Sequence, residues 1–297
     1  MTLRAPFPYF GGKSVIAQRV WERLSNPRQY IEPFCGSAAM LLAAPAPASL
    51  EVIGDVNHHV ANFWRATKCQ PEAVWSWSDY PVSHVDLYAR HGWLTEASRV
   101  AALREALLDP EWPGDAQIAG WWVWGQCCWI GSGWCARERP DPARERRGHG
   151  APGVTDCGQI PHAGDAGRGL QAHGLGKVPH ASDAGRGEDD LSPHREGARA
   201  WLHALSRRLE RVRVTHGTWD RCLNSHYGDT ATAVFLDPPY RTCERRLYAA
   251  EGAHPVADDA AAWAADHADL RVALCGHAGD YDLPGWATLR WERAGNT

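Results

Sequence analysis

A short apolar run, Thr232-Ala233-Val234-Phe235-Leu236, ends abruptly in Asp237-Pro238-Pro239-Tyr240. The run reads as a buried strand. The two prolines fix φ and remove backbone donors, so the strand stops there and the carboxylate and the ring beyond it are held in place. In open α/β sheets the carboxyl ends of the strands are where ligands bind. An acid acceptor beside a flat aromatic suits a planar, amino-bearing group there, such as a nucleobase taken out of its stack. Alone, the four residues also read as a strand-terminating turn, because Asp and Pro are common turn residues.

The amino-terminal third adds three more pieces. Pro8-Tyr9-Phe10-Gly11-Gly12-Lys13 places two glycines, which permit a tight turn, before a lysine that can reach an anion. Tyr30 to Met40 reads as a short strand, a small-residue turn and the start of a helical run over 39–44. Such a joint lets a ligand approach the backbone near a helix N-terminus. Leu50 to Asn57 then sets Asp55 at the end of a second strand, about 20 residues after the glycine turn, a spacing at which an acid can accept from a ribose diol. Each piece has a plainer reading: a glycine turn, a strand cap, a surface acid. Their order, with the proline motif downstream, points to one cleft.

Taken together, GGK at 11–13, EPF-x-G-S at 32–37, D-x-N at 55–57 and DPPY at 237–240 resemble the Dam-like D12 class of S-adenosylmethionine-dependent DNA adenine-N6 methyltransferases, especially phage- and prophage-borne members. The resemblance spans residues 6–66 and 194–291. It implies a Rossmann-like α/β methyltransferase sheet, interrupted by an inserted, mostly helical and loop-rich target-recognition region. Residues 1–66 and 194–297 would form the two parts of the core, and 67–193 the insert, with a repeat arm at 148–193. By position, the resemblance assigns Tyr9, Gly12 and Lys13 to the methionine end of the cofactor, with Lys13 near its carboxylate. Phe34 and Gly36 would line the cofactor turn and Asp55 would hold the ribose hydroxyls. Asp237 would border the cofactor and, with Pro238, Pro239 and Tyr240, hold the target adenine. Trp134 and Arg137 in the insert, and Tyr248 after DPPY, would contact DNA. Two departures stand out. Ala38 replaces a usual third glycine, a mild change if its φ is negative, and Thr218 replaces an acid facing the cofactor's adenine, though a hydroxyl can still accept.

The chemistry follows from the residue types. The exocyclic N6 lone pair of adenine is delocalised into the ring and is a poor nucleophile. The Asp237 carboxylate and the Pro238 carbonyl form an acceptor pair that can localise it for in-line attack on a sulfonium methyl, with Tyr240 stacked on the flipped base. Neither a metal nor a covalent cysteine is required. An aspartate accepts equally from a cytosine amine, so N4-cytosine transfer stays open on residue type. So does a catalytically silent DNA-binding relative, on Thr218, Ala38 and the early carboxyl end.

Composition fits this class. With 297 residues and 44% hydrophobic content, the chain can bury a substantial core. It shows no membrane-length apolar run and no charged–apolar–small leader, and its nine cysteines lack regular spacing. The expectation is a cytoplasmic protein with reduced thiols and no membrane partner. A net charge of -4 argues against a histone-like coat, so DNA contact would rest on local patches. Arg137, Arg139, Arg144, Arg146 and Arg147 form one such cluster, and Arg195, Arg199, Arg207, Arg208, Arg211 and Arg213 another. Interleaved acids make a salt-bridged surface the alternative.

The middle of the chain is rich in tryptophan. Asp115–Trp129 reads as one helix and 197–212 as another, docked by Ala198, Trp201, Leu202, Leu205 and Leu209. Tryptophans at these positions are read as core packing rather than base stacking. Residues 130–134 read as a turn presenting Trp134. Cys127, Cys128 and Cys135 lie close together but lack zinc-site spacing. The arm at 148–193 repeats one segment, starting at Ile160 and again at Val178, which reads as a surface excursion whose Arg168 and Arg186 could track phosphates. A helix at 258–267, a strand at 270–275 and an antiparallel strand at 287–292 complete the reading, one strand short of many relatives.

Overall fold

The computed structural model describes residues 3–7, 9, 13–129, 134–135, 192–223, 231–240 and 256–291. In chain order its elements are α1 (Ala17–Leu24), β1 (Gln29–Glu32), α2 (Ala39–Leu42), β2 (Leu50–Asp55), α3 (His58–Cys69), α4 (Pro71–Ser78), α5 (His84–Leu94), α6 (Ala97–Ala106) and α7 (Ala116–Cys128). They continue with α8 (Ser192–Leu209), β3 (Val212–His216), a 3-10 turn (Trp219–Cys222), β4 (Thr232–Leu236), α9 (Val256–Asp266) and β5 (Arg271–Leu274). Two compact units divide them: Leu3–Tyr9 with Asn57–Glu210, and Phe10–Val56 with Arg211–Thr297.

The second unit is a parallel sheet in the order β3-β2-β1-β4-β5. All five residues of β4 are buried, as its unbroken apolar run requires of a strand covered on both faces. Ile31, Val52, Val234 and Leu236 form its core with Ala260 and Ala264 of α9 and with Leu270. Strand order reverses at β1, with β2 and β3 on one side and β4 and β5 on the other. The carboxyl ends of β1 and β4 therefore flank a topological switch point, the crevice where open α/β sheets take ligands. Because the strands are parallel, Glu32, Asp55, Asp237 and Cys275 all fall at this one edge.

Two strand assignments differ from the sequence reading. The helix read over 197–212 ends at Leu209, and Val212–His216, for which the sequence reading named no strand, forms β3, because Val212, Val214 and Thr215 are β-branched and pair along β2. Residues 287–291 were read as a strand and form none. Trp286, which precedes them, packs against the core cluster, and its N–H closes a turn on the Leu283 carbonyl at 3.1 Å.

The first unit is helical. Asn57 caps α3 by accepting from the His59 N–H at 2.9 Å, and Asp115 caps α7 by accepting from the Ile118 N–H at 2.8 Å. Of the tryptophans read as core, Trp122 and Trp124 are fully buried and Trp121 and Trp129 half-buried; Trp64 is fully buried as well, and Phe7, Phe63 and Trp122 meet ring to ring. Gly120 lets α7 press on α4, since a Cβ there would lie 2.4 Å from that of Trp77. In α8, Ala198, Trp201, Leu202, Leu205 and Leu209 are buried, while Arg199 and His203 pair with Glu72 on its exposed side. The division into compact units falls after Val56 and after Glu210. Its cause is the packing of α3 against α7 and of α8 against α4, which draws both helices out of the sheet unit. No helix among the described residues is long and apolar enough to cross a membrane.

Candidate active site at the carboxyl edge of the sheet

Asp237 follows β4, and Lys13 precedes α1, 224 residues earlier. The fold joins them: Lys13 Nζ donates to Asp237 Oδ2 at 2.6 Å, with the lysine side chain 3% exposed and the aspartate 17%. Burial is the largest single influence and pulls the ammonium's pKa down, but the Asp237 charge and hydrogen bond, with Cys275 and Tyr240 adding, together outweigh it, so Lys13 is raised and stays an ammonium. Burial likewise pushes Asp237 above the usual carboxylate range, with Lys13 opposing the shift. The Tyr240 ring centre lies 5.4 Å from the ammonium and that of Trp291 5.9 Å. Tyr240 meets the edge of His277 at 4.6 Å, and its hydroxyl is pushed up to about 12, first by burial and then by the Asp237 charge. Pro238 is buried beside it.

A second acid belongs to this cluster. Glu32, 2% exposed at the end of β1, accepts from the Tyr30 hydroxyl and from the Leu41 N–H, both at 3.0 Å. Burial pushes its carboxyl up to about 8; those two bonds and Lys13 pull the other way, and Asp237 adds to the rise. The sequence reading quoted Glu32 within its motif and gave it no role. The signal was present: an acid closing the otherwise apolar pair Tyr30-Ile31 has to be satisfied inside the fold.

The turn after β1 is held by the end of β2. Gly36, at φ 45°, donates its N–H to Asp55 Oδ2 at 2.9 Å, and Asp55 is 8% exposed. The Cys35 N–H bonds to the Gly54 carbonyl at 2.9 Å. Ala38 closes the turn by donating to the Cys35 carbonyl at 2.6 Å. Its φ is 50°, not negative, so the missing glycine is not a mild change here: an L-residue in this region is strained by about 1 kcal/mol. Phe34 stacks on Trp219 with ring centres 6.1 Å apart and planes 21° apart. Thr218, just before Trp219, is exposed at φ -61°.

Lys13, Phe34, Gly36, Asp55 and Asp237 through Tyr240 thus all lie in the sheet unit. Tyr9 belongs to the helical unit, edge-on to Phe7 at 5.9 Å. Trp134 corrects the reading of a presented ring. It is 5% exposed, its indole N–H donates to the Trp122 carbonyl at 2.9 Å, and it fills the space that a Cβ on Gly125 would need. Gly12, Arg137, Tyr248 and the arm up to 191 lie outside the described residues. Among the described residues, no group of three or more His, Cys, Asp or Glu could hold a metal ion.

A five-stranded parallel sheet in this order, with acids closing β2 and following β4, is consistent with a Rossmann-like methyltransferase fold. Residues 9–85 match the family model of the D12 class N6 adenine-specific DNA methyltransferases. The match covers about a quarter of the chain; it indicates a DNA methyltransferase and supports methylation of DNA adenine. No curated protein matches the chain.

Proposed function

We propose that the chain transfers a methyl group from S-adenosylmethionine to N6 of an adenine turned out of a DNA duplex and held at Asp237–Tyr240. The observation that carries this reading is a half-buried carboxylate at the switch point, Asp237, in company with the Tyr240 ring.

The chain's residues fit the cofactor. Asp55 offers a buried oxygen acceptor at a glycine turn, which suits a ribose diol, and the Phe34–Trp219 pair offers ring faces for a purine. Lys13 supplies a cation for a carboxylate end. When bound, S-adenosylmethionine supplies an electrophilic methyl group on a sulfonium.

The remaining work falls to this chain. The Asp237 carboxylate and the Pro238 carbonyl accept the two amino hydrogens, which concentrates the lone pair on N6. Tyr240 stacks on the extruded base and holds the nitrogen in line. As the N–CH₃ bond forms, one N–H proton leaves, and Asp237, whose proton affinity burial raises, takes it. Segment 67–193 contributes target recognition, and the protein works in the cytoplasm on DNA.

The test is nucleoside analysis of DNA incubated with the purified chain and methyl-labelled donor. Label in N6-methyladenine is expected. Label in N4-methylcytosine would move the assignment to the other base, and donor binding without any DNA label would make the chain a silent relative.

A further inference from the structure

Lys13 stands where the proposed chemistry needs something else. Its Nζ lies 2.6 Å from Asp237 Oδ2, the length of a charge-assisted N–H···O bond, and 5.4 Å from the centre of the Tyr240 ring. An exocyclic amine gripped by Asp237 beside that ring needs the same oxygen at nearly the same distance. Resting on the reading above, we propose that Lys13 is a built-in stand-in for the target amine: its ammonium fills the acceptor position on Asp237 until the carboxylate of the bound donor draws it away, so that the base is gripped only after the donor is in place.

Lys13 needs such a replacement partner in order to move. An ammonium only 3% exposed is costly to leave without a counter-charge. Among the described residues the other nearby acid, Glu32, already accepts from Tyr30 and Leu41 through one oxygen, and burial favours its neutral form. An incoming carboxylate supplies the missing charge. Lys13 then both anchors the donor and reports its arrival at Asp237, which makes the order of binding a consequence of one ion pair.

The experiment uses the full chain and a duplex carrying 2-aminopurine in place of the methylated adenine, at a site mapped from methylated DNA. Extrusion of the base is read as a rise in fluorescence. Three conditions are compared: no addition, S-adenosylhomocysteine, and 5′-methylthioadenosine, which lacks the amino-acid end. For the wild type, a rise of about tenfold is expected with S-adenosylhomocysteine alone. Lys13→Met is expected to give the rise in all three conditions. Equal extrusion by the wild type with and without S-adenosylhomocysteine, or an equal response to 5′-methylthioadenosine, would overturn the proposal. So would a Lys13→Met protein that keeps the wild-type dependence. Should Lys13→Met not fold, isotope partitioning on the wild type decides. A preformed enzyme–donor complex should deliver its label to DNA on the first turnover, whereas an enzyme–DNA complex that captures donor equally well contradicts the order. Failure of the underlying reading shows elsewhere, as wild-type turnover that yields no N6-methyladenine.

Discussion

In the helical unit a buried cation meets rings and carbonyls. The Arg90 guanidinium lies 4.1 Å from the centre of the Tyr80 ring and 4.3 Å from that of Trp124, and Arg65 donates to the Asp109 carbonyl at 2.7 Å. In the sheet unit a buried cation meets a carboxylate, Lys13 on Asp237, with Glu32 as a second buried acid in the same field. Burial is comparable, at 7% exposed for both arginines and 3% for Lys13. The partners differ. Rings and neutral carbonyls hold a cation without a full counter-charge that a ligand could replace, and Arg90 Nη1 has no hydrogen-bond partner, so the helical unit's arginines serve packing. Opposed charges at a strand edge can be exchanged for a ligand's charges, so the sheet unit's ion pair is suited to chemistry.

If this contrast is right, substitutions in the two units should separate cleanly. The largest stability effect is expected from the helical unit. Trp122→Ala removes a ring packed on Phe7 and Phe63 and should cost about 3–5 kcal/mol in denaturant unfolding. A cost near zero would mean that the ring cluster is not the core described here. Glu32→Gln comes next, and its signature is pH. The folded pKa is raised from 4.5 to about 8, so the acid's contribution to stability is fully present below 4.5 and is lost as pH rises through about 8. The glutamine removes this slope, and at about pH 9 the variant should be the more stable of the two. Melting temperature against pH reads it, and parallel curves for the two proteins would argue against a buried acid. Ala38→Gly should raise stability by about 1 kcal/mol, because φ 50° no longer costs strain. The smallest effect belongs to Arg199→Ala. Its ion pair with Glu72 joins two half-exposed side chains, and the melting temperature should not move measurably.

The comparison also shows what could be read without coordinates. β4 was legible because an unbroken apolar run ends at two prolines, and α7 because Ile118 and Trp122 recur at helical spacing behind a capping Asp115. β3 was not, because its β-branched residues follow a helical pattern without a break. Of the site, the acids at the strand ends were visible as types at spacings. The pairing of Lys13 with Asp237 was not, because no local pattern reports a contact across 224 residues. The positive φ of Ala38 was hidden for a related reason: a left-handed turn is signalled by glycine or asparagine, and alanine gives no such signal. Trp134 shows the reverse error. Its flanking glycines read as a projecting turn, yet Gly125, nine residues before it, provides the hollow that takes the ring.

Asp237→Asn tests the central claim most directly, with single-turnover methyl transfer and donor affinity measured on the same preparation. The side chain keeps its shape and loses its charge. The account predicts that transfer to adenine falls by about a thousandfold, as when a pre-positioned electrostatic group is removed, while the protein, destabilised by loss of the Lys13 counter-charge, stays folded. Transfer within about threefold of the wild type would contradict it, because the amine would then be activated without the carboxylate at the end of β4.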